Sequence, residues 1–116
     1  MKLKLTASAL LIAAFTGCVN NTPPKDYSQW DTTDNTGLKL RLETVQVDSG
    51  WGYAIFADEK KLIMQKQIPV VEGNHVFESQ EDAYNCAHLV IKKLLSGEMP
   101  PSVTRQELKD LNIIKQ

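Results

Sequence analysis

Two periodicities divide the chain, and their order limits what it can fold into. From Leu38 to Gln67 apolar and polar residues alternate in short runs, the pattern of strands with one wet face; from Ser79 onward the spacing is that of a helix. Leu38, Leu40 and Leu42 alternate with Lys39, Arg41 and Glu43, and the phase then slips to Val45 and Val47, which predicts a bulge near Glu43 or Thr44. Asp48-Ser49-Gly50 reads as a hairpin connection, and Trp51 to Phe56 returns as an aromatic strand apolar on both faces. Asp58-Glu59-Lys60 makes a second turn before a third strand from Leu62 to Gln67. Ile68-Pro69-Val70-Val71 leaves the sheet at a proline.

Ser79 with Asp82 three residues on resembles a capping box and opens a helix predicted over Gln80 to Ser96, ended by Gly97. Its apolar side carries Ala83, Cys86, Ala87, Val90 and Leu94 at helical spacing. Pro100-Pro101 forces a break, and Thr104-Arg105-Gln106-Glu107 supplies a full capping box for a short last helix with Leu108 and Leu111. The expected fold is α+β: a three-stranded antiparallel meander covered by one long helix, plus a short C-terminal helix.

Upstream of this domain, Met1 to Lys4 carries two lysines, Leu5 to Phe15 is a mainly apolar run without charge, and Thr16-Gly17-Cys18 follows at once. That is the layout of an export signal, and the run is shorter than the roughly 20 residues a membrane-spanning helix needs. Phe15-Thr16-Gly17-Cys18 resembles a lipobox, with Phe15 in place of the usual Leu. The reading is a signal peptide over 1–17, lipid on Cys18, a polar tether over 18–36 and a domain over 37–116. Val19 after the cysteine, with no acidic cluster behind it, resembles the sorting pattern for the outer membrane, facing the periplasm. Tyr27 and Trp30 interrupt the otherwise polar tether. They either dock on the domain and shorten the free linker or form a partner-binding segment.

Loss of the signal removes Lys2 and Lys4, so 11 basic residues stand against 14 acidic, a net charge of −3. This balance lacks the basic footprint of a nucleic-acid binder, and no nucleic-acid partner is expected. About 80 residues remain for the fold, a size at which one modest core is the limit. With Cys18 acylated, Cys86 has no disulfide partner in the chain and is expected to be buried. Cys86-Ala87-His88 has no second ligand pair at zinc-like spacing, so neither a metal nor a cofactor is expected.

Gly50-Trp51-Gly52-Tyr53, Gln65-Lys66-Gln67-Ile68-Pro69, Phe77-Glu78-Ser79-Gln80-Glu81-Asp82-Ala83, Lys93-Leu94, Pro100-Pro101 and Glu107-Leu108 together resemble a family of small exported proteins from the Bacteroidota, catalogued as a domain of unknown function. The likeness runs from about Leu38 to Ile113. It brings no known activity and therefore no catalytic residue. The order of strands and helix is also similar to small DNA-binding modules, a role that export argues against.

No catalytic constellation stands out. His75 lies in a predicted turn and His88 about 140° around the helix from Ala83, off the buried stripe, and neither has a nucleophile at a telling spacing. Asp58-Glu59 and Glu81-Asp82 have adequate roles at a turn and at a helix start. Leu89, about 240° from Ala83, is covered either by the C-terminal helix through Leu108 or Leu111 or by a partner. Trp51, Tyr53, Pro69 and Leu89 are thus the candidate interaction surface.

The expected function is a membrane-tethered, non-enzymatic interaction module that meets an envelope protein. The alternatives are a small periplasmic enzyme or accessory subunit, and a small-ligand or inhibitor domain using the loop Ile68 to Val71. A pocket of several hundred cubic ångströms with convergent polar groups favours the enzyme. A flat apolar patch around Trp51, Tyr53 or Leu89 favours the partner.

Overall fold

The computed structural model describes residues 26–115; the segment read as signal peptide and the lipidation site Cys18 lie outside them. Among the described residues the chain forms β1 (Gln29–Thr33), β2 (Lys39–Val47), β3 (Gly50–Ala57), β4 (Lys60–Gln65), α1 (Gln80–Leu95) and α2 (Arg105–Asp110). The strands make one antiparallel sheet in the order β1-β2-β3-β4. The α+β class stands, but the sheet has four strands rather than three.

The additional strand, β1, comes from the polar stretch read as tether. Its pairing with β2 sets Trp30 opposite Leu42 and Thr32 opposite Leu40, on the face that α1 covers. Trp30 packs on the His88 ring of α1 at 4.5 Å, and Tyr27 meets Tyr84 edge-on at 5.3 Å. These contacts fix a segment whose own sequence has little strand character. The turn into β2 is closed by Asp34, whose carboxylate accepts from Thr36 N, Thr36 Oγ1 and Leu38 N at 2.7–2.9 Å.

The bulge predicted near Glu43 or Thr44 is absent. β2 pairs with β3 in unbroken register, and the irregularity lies instead between Ile55 and Phe56, against β4. The phase slip has another cause: Thr44 follows Leu40 and Leu42 on the helix-covered face, with its polar atoms satisfied there. Its Oγ1 donates to the Tyr27 carbonyl at 2.8 Å and accepts from Gln80 Nε2 at 3.0 Å. Val45 and Val47 therefore belong to the other face, where they oppose Gly52 and Gly50. Both glycines are required by close approach. A β-carbon on Gly52 would stand 2.6 Å from Gln65 O, and one on Gly50 would collide with Val76.

α1 begins at the Ser79 cap, whose hydroxyl accepts from Asp82 N, and stops at Gly97, which has φ +90°. Its buried side is broader than the five-residue stripe and includes Tyr84 and Ile91 beside Ala83, Cys86, Ala87 and Val90. Leu94 is only half-buried, as is Leu89, which packs against the same core. The core under the helix is completed by Leu42, Tyr53, Ile55 and Phe77.

α2 carries the predicted capping box, and its Glu107 does more than cap. The carboxylate accepts from Thr104 N at 2.8 Å and from Lys93 Nζ at 2.7 Å, while Lys93 also donates to the Ser102 carbonyl. Lys93 thereby ties the end of α1 to the segment that leads into α2, and Leu108 is fully buried behind the tie.

Two measurements check this packing. Ile91→Ala is expected to destabilise the domain by about 2 to 5 kcal/mol in chemical denaturation, as a buried truncation, whereas Lys92→Ala on the exposed side stays within about 0.5 kcal/mol. Separately, the hydrogen bond from Lys93 holds the Glu107 carboxyl below its ordinary range. A lowered folded pKa contributes stability that is present above the unfolded value and fades as pH falls through the folded one. Glu107→Gln should therefore flatten the loss of Tm between roughly pH 5 and pH 3, where carboxylates titrate; an unchanged slope would contradict the role given to the tie.

Candidate functional site

The four residues of the predicted interaction surface do not meet on one surface. Tyr53 is 2% exposed, because β3 is a central strand flanked by β2 and β4, with α1 over it. Its hydroxyl lies 3.9 Å from Cys86 Sγ, which donates to it. Trp51 is half-buried and exchanges backbone hydrogen bonds with Phe77, Trp51 N to Phe77 O at 2.9 Å and Phe77 N to Trp51 O at 3.0 Å. Phe77 thus takes over the place beside β3 that β4 vacates after Gln65. Pro69 is half-buried in the loop beyond, and Leu89 is packed on the core.

Cys86 is buried, as expected. Burial pushes its thiol pKa up to about 12, and the same cause raises Tyr53. A thiol held protonated in an apolar core is a poor nucleophile. His88 sits against Trp30 and stacks on Tyr84 at 6.1 Å, so it belongs to the attachment of β1. Asp58 and Glu59 form the β3–β4 turn with positive φ, and their carboxylates take Lys39 N and Arg41 Nη1. Each of these groups has a structural employment.

What the sequence reading missed is a cleft of about 510 Å³ at the start of α1. Four separate segments assemble it. Ile68 and Val71 come from the loop after β4, His75 and Val76 from the turn before Phe77, Glu78 and Asp82 from the entry and first turn of α1, and Ile113 and Ile114 from the tail after α2. Its aliphatic residues are buried or half-buried and make the floor, while His75, Glu78, Asn112 and Lys115 are exposed and make the margin polar.

The loop is held in shape by hydrogen bonds rather than by packing alone. Ile68 N donates to the His75 carbonyl at 2.7 Å, Gln67 Nε2 to Asn74 Oδ1 at 3.0 Å, and Arg105 Nη2 to the Val70 carbonyl at 2.8 Å. Val70, half exposed at the tip, has φ +56°, a conformation that a β-branched residue adopts only under constraint. The tip is therefore presented in a fixed, strained form.

Inside the cleft, Asp82 has a raised pKa, first from burial and then from the negative charges of Glu81 and Glu78. Among the described residues no group of His, Cys, Asp or Glu is placed to hold a metal ion, and no helix is long and apolar enough to cross a membrane. The arrangement can receive an apolar segment or molecule with a polar end.

The chain belongs to the family described as a domain of unknown function, DUF4907, which it matches over residues 43–110. The match is narrower than the expected Leu38 to Ile113. It spans most of β2 through the end of α2 and leaves out β1 and the tail that walls the cleft. No curated protein and no solved structure matches the chain.

The inert character of Cys86 can be measured directly. The thiol is expected to react slowly with a maleimide or a disulfide reagent in the native protein and rapidly in denaturant; fast native labelling would mean that the thiol is reachable in the folded state.

Proposed function

We propose that this chain is a membrane-tethered, non-enzymatic interaction module of the cell envelope, anchored through lipid on Cys18 at the periplasmic face of the outer membrane. It engages an envelope protein through the cleft beside the Ile68–Val71 loop. The observation that carries this reading is the make-up of the cleft: an aliphatic floor of Ile68, Val71, Ile113 and Ile114 inside a margin of charged groups. An apolar centre with a polar rim is how protein contact patches are organised. The rigid loop supports the same reading, since a presented segment that is already ordered loses little entropy on binding.

A second reading is favoured by one specific feature. His75, Glu78 and Asp82 border the same cleft, and its volume falls in the range of small-molecule sites, so a small-ligand domain or a periplasmic enzyme is the alternative. The two readings make different demands on the residues. A protein partner depends on the aliphatic floor, and a ligand or substrate depends on the titratable margin.

The test is crosslinking in intact envelopes followed by capture of the native lipidated protein. Val71→Glu and Ile114→Glu should each lose a discrete crosslinked partner while keeping a normal melting curve, and His75→Ala should keep it. Crosslinks that survive both glutamates would sink the cleft as the contact. Cys18→Ser is expected to abolish lipid mass and detergent-phase partitioning with the domain still folded; unchanged partitioning would remove the anchor from the proposal.

A further inference from the structure

α1 covers one face of the sheet, and on the other face and its β4 edge two large apolar side chains remain in water, Leu62 at 47% and Met64 at 41% exposure. Met64 pairs with Ala54 on the uncovered face, and Leu62 falls at the register irregularity opposite Ile55 and Phe56. Beside them, Lys60, Lys61 and Lys66 stand within seven residues that contain no acid. Among the described residues none of the three enters an ion pair. The nearest acids in sequence are engaged elsewhere, Glu59 on Arg41 and Asp58 on the Lys39 amide. In a chain whose mature charge is negative, this edge is a segregated basic and apolar strip.

We infer that the β4 edge, through Leu62, Met64 and the flanking lysines, rests on the anionic lipid surface that holds the Cys18 anchor; the inference depends on the tethered reading above. Apolar tips reach the boundary between headgroups and acyl chains, while lysine stems lie along it and place their ammonium groups at the phosphates. The tether length fits. Cys18 precedes Asp26 by eight residues, at most about 28 Å of extended chain. Three inter-strand spacings of about 4.8 Å carry the sheet from β1 to β4. The reach of the tether exceeds that width, so the far edge can lie on the surface while the anchor stays inserted. An edge strand with lysines also resists strand addition by a second copy, which leaves lipid as the better occupant.

The experiment uses the full mature lipoprotein, purified with its lipid and reconstituted in vesicles of phosphatidylethanolamine with a minority of phosphatidylglycerol. An environment-sensitive dye is attached at Met64→Cys or, as control, at Lys92→Cys on the exposed side of α1, and quenching by spin-labelled lipid is read. The expected result is several-fold stronger quenching at position 64 than at 92, reduced toward the control when Lys60→Glu and Lys61→Glu are added with the melting curve unchanged. Retention on washed vesicles with equal quenching at the two positions would overturn lipid docking and leave the anchor standing. Failure of retention would overturn both. Quenching at position 64 that vanishes as protein density on the vesicle rises would assign the edge to a second copy and overturn the lipid surface as its occupant.

Discussion

One helix can cover only one face of a sheet, and in a domain of this length there is only one long helix to do it. The packing of α1 on Leu42, Tyr53, Ile55 and Phe77 is therefore the constraint on which the other features depend. Small residues at Ala83 and Ala87 let the helix lie close to the strands, and the larger Tyr84 and Ile91 fill the margins. Any element not touching this layer has to be attached to it by a specific device. Three devices are visible: the aromatic cluster that holds β1, the Lys93 and Glu107 tie that holds α2, and the backbone exchange that holds Phe77 beside Trp51.

These devices explain why the polar groups near the core are not liabilities. Thr44, Lys93 and Glu107 each meet partners brought by a different part of the chain, and no buried polar or charged residue occurs among the described residues. Buried or half-buried polar atoms are tolerated when their hydrogen bonds are complete. The same economy leaves few side chains for chemistry. His88, Cys86, Tyr53 and the acidic turn residues are occupied by structure. Exposed polar groups converge at the cleft.

Much of the fold was legible because it is written in local patterns. The alternation in β2 to β4, the Ser79 and Thr104 caps, the helix start at Gln80 and the burial of Cys86 all rest on residues a few positions apart. The misreadings have a common origin in contacts between distant residues. β1 was hidden because Trp30 becomes a core residue only through His88, 58 positions away by number in the chain. Thr44 suggested a bulge because the partners that let a threonine sit on the covered face are Tyr27 and Gln80. Tyr53 read as a surface aromatic because its strand is apolar on both faces, and only the contact with Cys86, 33 positions on, shows which face α1 covers. The cleft joins segments from Ile68 to Lys115, and no spacing in the sequence announces it.

The extent of the family match adds a last step. Residues 43–110 take in the helix-on-sheet layer apart from Leu40 and Leu42, the Lys93 and Glu107 tie and the β4 edge, whereas β1 and the tail from Leu111 fall outside. The cleft straddles that boundary, with the Ile68 to Asp82 side inside the match and the wall from Asn112 to Lys115 beyond it. Its floor is thus built from both sides of that limit, Ile68 and Val71 within the match and Ile113 and Ile114 beyond it. A contact made there would draw on both parts, its apolar area supplying affinity with little selectivity and its placed polar groups rejecting the wrong partner. The β4 edge, in contrast, lies wholly within the match, so a lipid-facing strip would need nothing beyond the shared frame, whereas the cleft is complete only with the tail after α2.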